Sequence, residues 1–240
     1  MKQRLDLAIV SRNLSRSRTE AQDRITHGKV LVNGVIETKP AKEVSDGDVI
    51  RITEQMPFAS RGGVKLQHAL EYFHIDVQDK TILDVGSSTG GFTDCLLQNG
   101  TRKVYAVDVG TFQMVDSLRN DKRVVLMEKT DIREAVLPEK VEGIVVDVSF
   151  ISLSKIFPSL AKFALPGAFI VALIKPQFEV GQANIGKGGI VTSEDAREDA
   201  ITHVLKSATE NRISIRDVTP SPIVGGDGNK EFLLYGIYAL

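Results

Sequence analysis

Thr81-Ile-Leu-Asp84-Val-Gly86-Ser-Ser-Thr-Gly90-Gly91-Phe92 is the stretch from which the rest of the chain is read. Ile82, Leu83 and Val85 form a short apolar run of buried-strand size. Gly86, Gly90 and Gly91 mark a turn in which the backbone is expected to approach a ligand, where a Cβ would clash. A helix opening at Phe92 would aim free N–H groups and the positive end of its dipole at that ligand. A second strand, Val104-Tyr-Ala-Val-Asp108, follows at the spacing of one βαβ unit. An acid ending the second strand is where nucleotide-type folds hold a ribose diol.

The dinucleotide fingerprint requires G-x-G-x-x-G. Ser88 stands two positions after Gly86, so that pattern fails. Asp84, two residues before the first glycine, suits a ligand with a cationic amine. S-adenosylmethionine needs one acidic strand end for its amino acid part and another for its ribose. Asp84, Gly86, Ser87, Ser88, Gly90, Gly91, Phe92, Asp108 and Val109 are therefore cofactor-binding candidates. The competing reading is a strand–turn–helix corner that uses its glycines only for folding.

The 240 residues allow one large or two small domains. An apolar fraction of 42% and a charged fraction of 25% are those of a soluble chain with a real core. The formal net charge is −1, but residues 1–30 hold seven Lys and Arg against three Asp and Glu. A basic end on a near-neutral protein is a mild nucleic-acid signal, and a solvated charged face explains it equally well. Cys95 is the single cysteine, which excludes an intrachain disulfide and a cysteine metal cluster; no metal site is expected. No secretory signal or membrane-length apolar run is visible, so a cytoplasmic location is expected.

Residues 1–53 read as a small α+β unit. Leu5, Ala8 and Ile9 have helical spacing, and Ser17-Arg-Thr-Glu20 matches a capping box for a helix reaching about His27, with Gly28 to end it. Lys29 to Glu37 reads as a hairpin around Asn33-Gly34, and Val49 to Ile52 as a last strand. Ser17-Arg18 and Gly28-Lys-Val-Leu-Val-Asn-Gly34 resemble the S4 RNA-binding domain. That resemblance implies contact with structured RNA, with Arg4, Arg12, Arg16, Arg18, Arg24 and Lys29 as candidates.

Residues 54–60 are expected to be a linker and 61–240 a second domain. Leu66, Ala69, Leu70 and Phe73 predict a helix with Lys65 in its first turn, where a cation is not favoured. A second crossover helix is expected over Gly110 to Asn120, and a third strand over Val124 to Met127. Next come a strand ending near Asp147, a helix over Leu153 to Phe163, and a fifth strand from Ala168 through Lys175 to Glu179. Gly181 to Gly189, with Lys187, reads as a mobile loop beside the site. A long helix capped by Thr192 or Ser193 and two final strands complete the pattern, with Glu231 at the start of the last. Alternation of strands and helices predicts a parallel α/β sheet, which the last two strands join as an antiparallel edge.

Arg61-Gly-Gly-Val-Lys65-Leu, the Asp84 to Phe92 stretch, Asp147-Val-Ser-Phe150-Ile-Ser, Ile174-Lys175-Pro-Gln-Phe178-Glu and Gly228-Asn-Lys-Glu231-Phe-Leu resemble the TlyA-type family. Its members are bacterial rRNA 2′-O-methyltransferases, historically labelled haemolysins. The resemblance implies an S4 domain joined to an FtsJ-like, Rossmann-like seven-stranded S-adenosylmethionine-dependent methyltransferase domain. It implies ribosomal RNA or ribosomal subunits as partner, with cytidine in 16S or 23S rRNA as target. A Lys-Asp-Lys-Glu tetrad maps onto Lys65, Asp147, Lys175 and Glu231, and Asp131 with Ile132 falls where the loop after the third strand covers adenine. Lys175 would be the general base, its neutral form favoured by burial and by the charge of Lys65. Arg61, Phe178 and Lys187 complete the RNA-binding candidates, Phe178 as a stacking platform or as core. A non-catalytic RNA- or ribosome-binding protein would not need the tetrad. A haemolysin would need an apolar or strongly amphipathic membrane segment, which the sequence lacks.

Overall fold

The computed structural model describes residues 2–53 and 57–239. The first unit runs β1 (Lys2–Arg4), α1 (Leu5–Ser11), α2 (Arg18–Thr26), β2 (Val30–Val32), β3 (Val35–Ile36), β4 (Glu43–Ser45) and β5 (Ile50–Ile52). Leu5, Ala8 and Ile9 of α1 meet Ala21 and Ile25 of α2 over Val30 and Val44, a small closed core. Ser17 caps α2 by accepting the Glu20 N–H, while the Glu20 carboxylate takes the Arg16 N–H at 2.6 Å. Asn33 (φ +52°) and Gly34 (φ +84°) both take the left-handed backbone that a two-residue type I′ hairpin requires. The sequence reading omitted β1 and β4, which pair antiparallel with each other.

The second unit runs α3 (Gly62–Tyr72), β6 (Thr81–Val85), α4 (Gly91–Gln98), β7 (Lys103–Val107), α5 (Asp116–Arg119), β8 (Val124–Met127), β9 (Val141–Val146), α6 (Phe157–Leu160), β10 (Ala164–Ile174), α7 (Pro176–Glu179), α8 (Glu194–Glu210), β11 (Ile213–Pro220) and β12 (Phe232–Tyr238). Its seven strands lie in the order β11-β12-β10-β9-β6-β7-β8. β12 runs antiparallel to both of its neighbours, inserted between β10 and the edge strand β11. From β6 the chain moves outward through β7 and β8, then returns to pair β9 on the other side of β6. That reversal opens a crevice beyond the carboxyl ends of β6 and β9, where open α/β sheets bind ligands. This is the expected fold class, a seven-stranded Rossmann-like methyltransferase sheet with a small α+β unit before it.

Several expected elements differ. The second crossover helix shrinks to the single turn α5, because Val109 to Val115 follow irregular backbone. Leu153 to Phe163 breaks into a 3-10 turn and the four-residue α6. The fifth strand stops at Ile174, because Pro176, which has no N–H, starts α7 and leaves Lys175 as its N-cap. In the expected linker, Glu54, Gln55 and Met56 lie outside the described residues, while Phe58 and Ala59 are buried against α3 and α4.

Candidate active site

The glycines after β6 stand where segments of the chain pack closely against one another. A Cβ on Gly86 (φ +85°) would stand 2.3 Å from the Asp147 carbonyl oxygen, so this glycine lets β6 and the end of β9 converge. A Cβ on Gly91 would stand 2.2 Å from Ser60 Oγ and 3.0 Å from the Gly63 nitrogen, so Gly91 lets α4 approach the start of α3. At Gly90 the obstacle would be Leu118 Cδ1. Gly86 and Gly91 also line the cavities beside this loop, so close packing and close approach to a ligand are compatible at these positions.

Along the carboxyl edge of β6, β7 and β9 runs a cavity of about 370 Å³, lined among others by Gly86, Ser88, Asp108, Val109, Asp131 and Ile132. Asp108 accepts the N–H groups of Ser88 and Gly110, both at 2.7 Å, which locks its carboxylate at the cavity wall. Asp131 is held by Arg133, with Nε at 2.9 Å and Nη2 at 2.5 Å, and that guanidinium lowers its pKa. Ile132 is buried and Val109 is 72% exposed, giving one fixed and one open apolar wall.

Asp84 is fully buried, and Thr93 of α4 donates to its Oδ2 at 2.6 Å. Burial pushes its pKa up to about 7, with the charges of Asp147 and Asp108 adding to the effect. Its Oδ1 and the hydroxyl of Ser87 are buried without a partner in the protein. Buried polar atoms left unpaired need an explanation, and a ligand carrying a cationic amine supplies one. With Asp108 aligned for a diol, these residues fit S-adenosylmethionine.

A second cavity of about 210 Å³ adjoins the same loop and reaches Lys65, Phe92 and Asp147. Its opposite wall is α2 of the small unit, through Thr19, Glu20 and Asp23. Arg61 bridges the two units, with Nε 2.6 Å from Asp23 Oδ1 and Nη1 2.8 Å from His27 Nε2.

The four tetrad candidates stand as two ion pairs. Lys65, buried in the first turn of α3, pairs with buried Glu231 at the entry to β12. Lys175 Nζ lies 2.6 Å from Asp147 Oδ1 and donates to Ser149 Oγ at 2.8 Å. Ser149 was missed by the sequence reading although it lies inside the quoted Asp147-Val-Ser-Phe150 run. Asp94 and Glu179 were missed too, since their partners Arg16, Ala59, Ser152 and Leu153 are distant in sequence, and so was Thr93, although Asp84 is only nine residues away.

The RNA-binding candidates divide. Arg24 is buried, with Nη2 2.6 Å from Glu20 Oε1, and is a core ion pair and not an RNA contact. The Glu20-x-x-x-Arg24 spacing was the available signal. Arg12 is spent on the Asp48 and Ser45 carbonyls at 2.6 and 2.7 Å. Arg4 and Arg18 converge on buried Asp6 and hold its carboxyl well below the usual range. Arg16 reaches Asp94 across the units at 3.0 Å. Lys29 follows Gly28 at the start of the hairpin and Lys187 is exposed on the glycine-rich loop. Phe178 is half-buried with its ring 5.1 Å from that of Phe150.

A Rossmann-like sheet with an acid-rimmed cleft and two lysine–carboxylate pairs defines a methyltransferase of the S-adenosylmethionine-dependent class. The FtsJ-like methyltransferase model matches residues 58–238 and the S4 domain model residues 3–50. The 16S/23S rRNA (cytidine-2′-O)-methyltransferase TlyA of Mycobacterium tuberculosis is 42% identical over 238 residues, 97% of this chain and 88% of that protein. Hemolysin A of Brachyspira hyodysenteriae is also 42% identical over 238 residues, 98% of this chain and 99% of its own length. A solved Streptococcus thermophilus structure named for hemolysin superposes with a TM-score of 0.80 at 40% identity, covering 99% of this chain and 89% of that one. The chain belongs to the TlyA-type, FtsJ-like methyltransferase family and is an enzyme that uses S-adenosylmethionine. No helix among the described residues is long and apolar enough to cross a membrane, and no group of residues among them could hold a metal ion.

Proposed function

We propose that this enzyme methylates the 2′-oxygen of a ribose in ribosomal RNA, a cytidine of 16S or 23S rRNA, and that Lys175 is the general base. The observation that carries this reading is the Lys175–Asp147 pair at the carboxyl edge of β9 and β10, where Asp147 also lines the cofactor cavity. Bound S-adenosylmethionine supplies an electrophilic methyl group on a sulfonium. Asp84 would hold its amine, Asp108 its ribose hydroxyls, and Asp131 with Ile132 its adenine. The 2′-hydroxyl would give its proton to the neutral amine of Lys175 as its oxygen bonds the methyl carbon and the carbon–sulfur bond breaks, leaving a neutral thioether. Asp147 orients that amine, while the Lys65–Glu231 pair fixes the ribose. Little covalent chemistry falls to the protein, so alignment supplies most of the acceleration. The S4 unit presents RNA through Arg18, Lys29 and the Arg61 junction, with Phe178 and Lys187 flanking the lysine.

Purified 30S and 50S subunits, incubated with methyl-labelled S-adenosylmethionine, test this. Wild type is expected to leave label at a 2′-O-methylcytidine, and Lys175→Ala to leave none while still binding cofactor. Near-normal turnover by Lys175→Ala would remove the assigned base.

A further inference from the structure

We infer that Ser149 is a positioning residue that sets the direction in which Lys175 accepts its proton, an inference resting on the assignment of Lys175 as base. Lys175 is the N-cap of α7, and three side chains at i, i+3 and i+4 meet the segment that follows β9. Lys175 meets Asp147 and Ser149; the Phe178 ring meets that of Phe150; and Glu179 accepts the Ser152 hydroxyl at 2.6 Å and the Leu153 N–H at 2.9 Å. Burial raises the pKa of Glu179. Helical spacing thus fastens two catalytic loops together at successive points, and the lysine stands at the first of them.

A neutral amine has two N–H bonds and one lone pair, staggered about the Cε–Nζ bond. Ser149 Oγ accepts one of those N–H bonds at 2.8 Å, whereas Asp147 Oδ1 lies 2.6 Å away as a charge contact that makes no hydrogen bond. Ser149 is thus the acceptor that fixes the rotation of the amine and with it the direction of the lone pair. With Asp147 alone, the amine turns freely among staggered wells and its lone pair spends part of its time misdirected. Ser149 also lines the cofactor cavity, so it adjoins both the methyl donor's cleft and the base. The chain turns sharply just after it, with Phe150 at φ +64°, a backbone that non-glycine residues adopt rarely and that tends to occur at functional sites.

The test compares Ser149→Ala, Ser149→Thr and Lys175→Ala in the full chain. Methyl transfer to 30S and 50S subunits is measured alongside cofactor titration by fluorescence. Ser149→Ala is expected to lose about tenfold or more in kcat, with KM for RNA and cofactor affinity within roughly twofold. Ser149→Thr, which keeps the hydroxyl, is expected to regain most of that loss. Unchanged kcat in Ser149→Ala, or a loss confined to cofactor affinity, would overturn the role, as would a Thr variant no better than Ala. Full activity in Lys175→Ala would instead overturn the base assignment, so the two failures are distinct. A readout that needs no substrate is NMR order of the Lys175 ε-methylene in the cofactor-free protein. It is expected to fall in Ser149→Ala, and equal order in both proteins would overturn the inference.

Discussion

Arg16 of the S4 unit and Asp94 of α4 are joined across the two units, Nη1 to Oδ2 at 3.0 Å. Asp94 also accepts the buried Ala59 N–H at 2.8 Å and the Gln98 amide at 3.0 Å, so one carboxylate anchors the small unit, the segment after the linker and its own helix. The Arg16 side chain is 45% exposed, and an exposed pair contributes only ~0–1 kcal/mol. Removing Asp94 leaves a buried N–H without an acceptor, a loss of about 1–3 kcal/mol. Urea unfolding should therefore show Asp94→Ala clearly weaker than Arg16→Ala.

The Lys65–Glu231 pair separates a structural cost from a catalytic one. Both side chains are nearly buried, at 10% and 3% exposure. Lys65→Ala strands the Glu231 carboxylate and is expected to cost about 3–5 kcal/mol in denaturant unfolding. Replacing both together, Lys65→Met with Glu231→Leu, should recover most of that stability without recovering methyl transfer. Recovery of turnover in the double variant would show that the pair acts only as scaffold.

Asp84 predicts a pH dependence whose sign is fixed by burial. Its pKa rises from an ordinary 3.8 to about 7 in the folded chain, so between those values the folded state binds more protons than the unfolded one. Stability therefore falls as pH rises through that window and levels off above it. Asp84→Asn should flatten this part of the stability profile. Because a cationic amine prefers the carboxylate, cofactor affinity should move the other way, tightening as pH climbs toward about 7, again only in wild type.

Gly91→Ala tests whether that glycine serves packing. The added methyl would meet Ser60 Oγ at 2.2 Å and the Gly63 backbone nitrogen at 3.0 Å. Separating α3 from α4 should cost about 1–3 kcal/mol in thermal or urea unfolding. Since α3 carries Lys65, kcat should fall with it. An unaltered unfolding curve would return Gly91 to the ligand-approach role.

What the sequence made legible was local. The capping box at Ser17, the Asn33-Gly34 turn, the Ser193 cap and the buried strand before Gly86 each encode their geometry within a few residues. The four tetrad candidates were legible because the family motifs surrounding them are themselves local. Contacts between distant segments were hidden. Strands β1 and β4 are three residues each and exist only by pairing with each other. Arg12 and Arg24 read as surface cations until Ser45, Asp48 and Glu20 are seen to hold them. The glycines signalled close approach correctly, but the segments they pack against could not be read from the sequence.

Lys65 and Glu231 are 166 residues apart, whereas the strands that frame the cofactor cleft, β6, β7 and β9, all lie within residues 81–146. Closing so long a loop carries a large entropic cost, recovered only once β12 has slotted between β10 and β11. A partly folded chain can therefore display the cleft and the Lys175–Asp147 pair before it has the Lys65–Glu231 pair. If that second pair is needed for turnover, methyl transfer reports complete folding, and a chain caught halfway binds cofactor without transferring its methyl group.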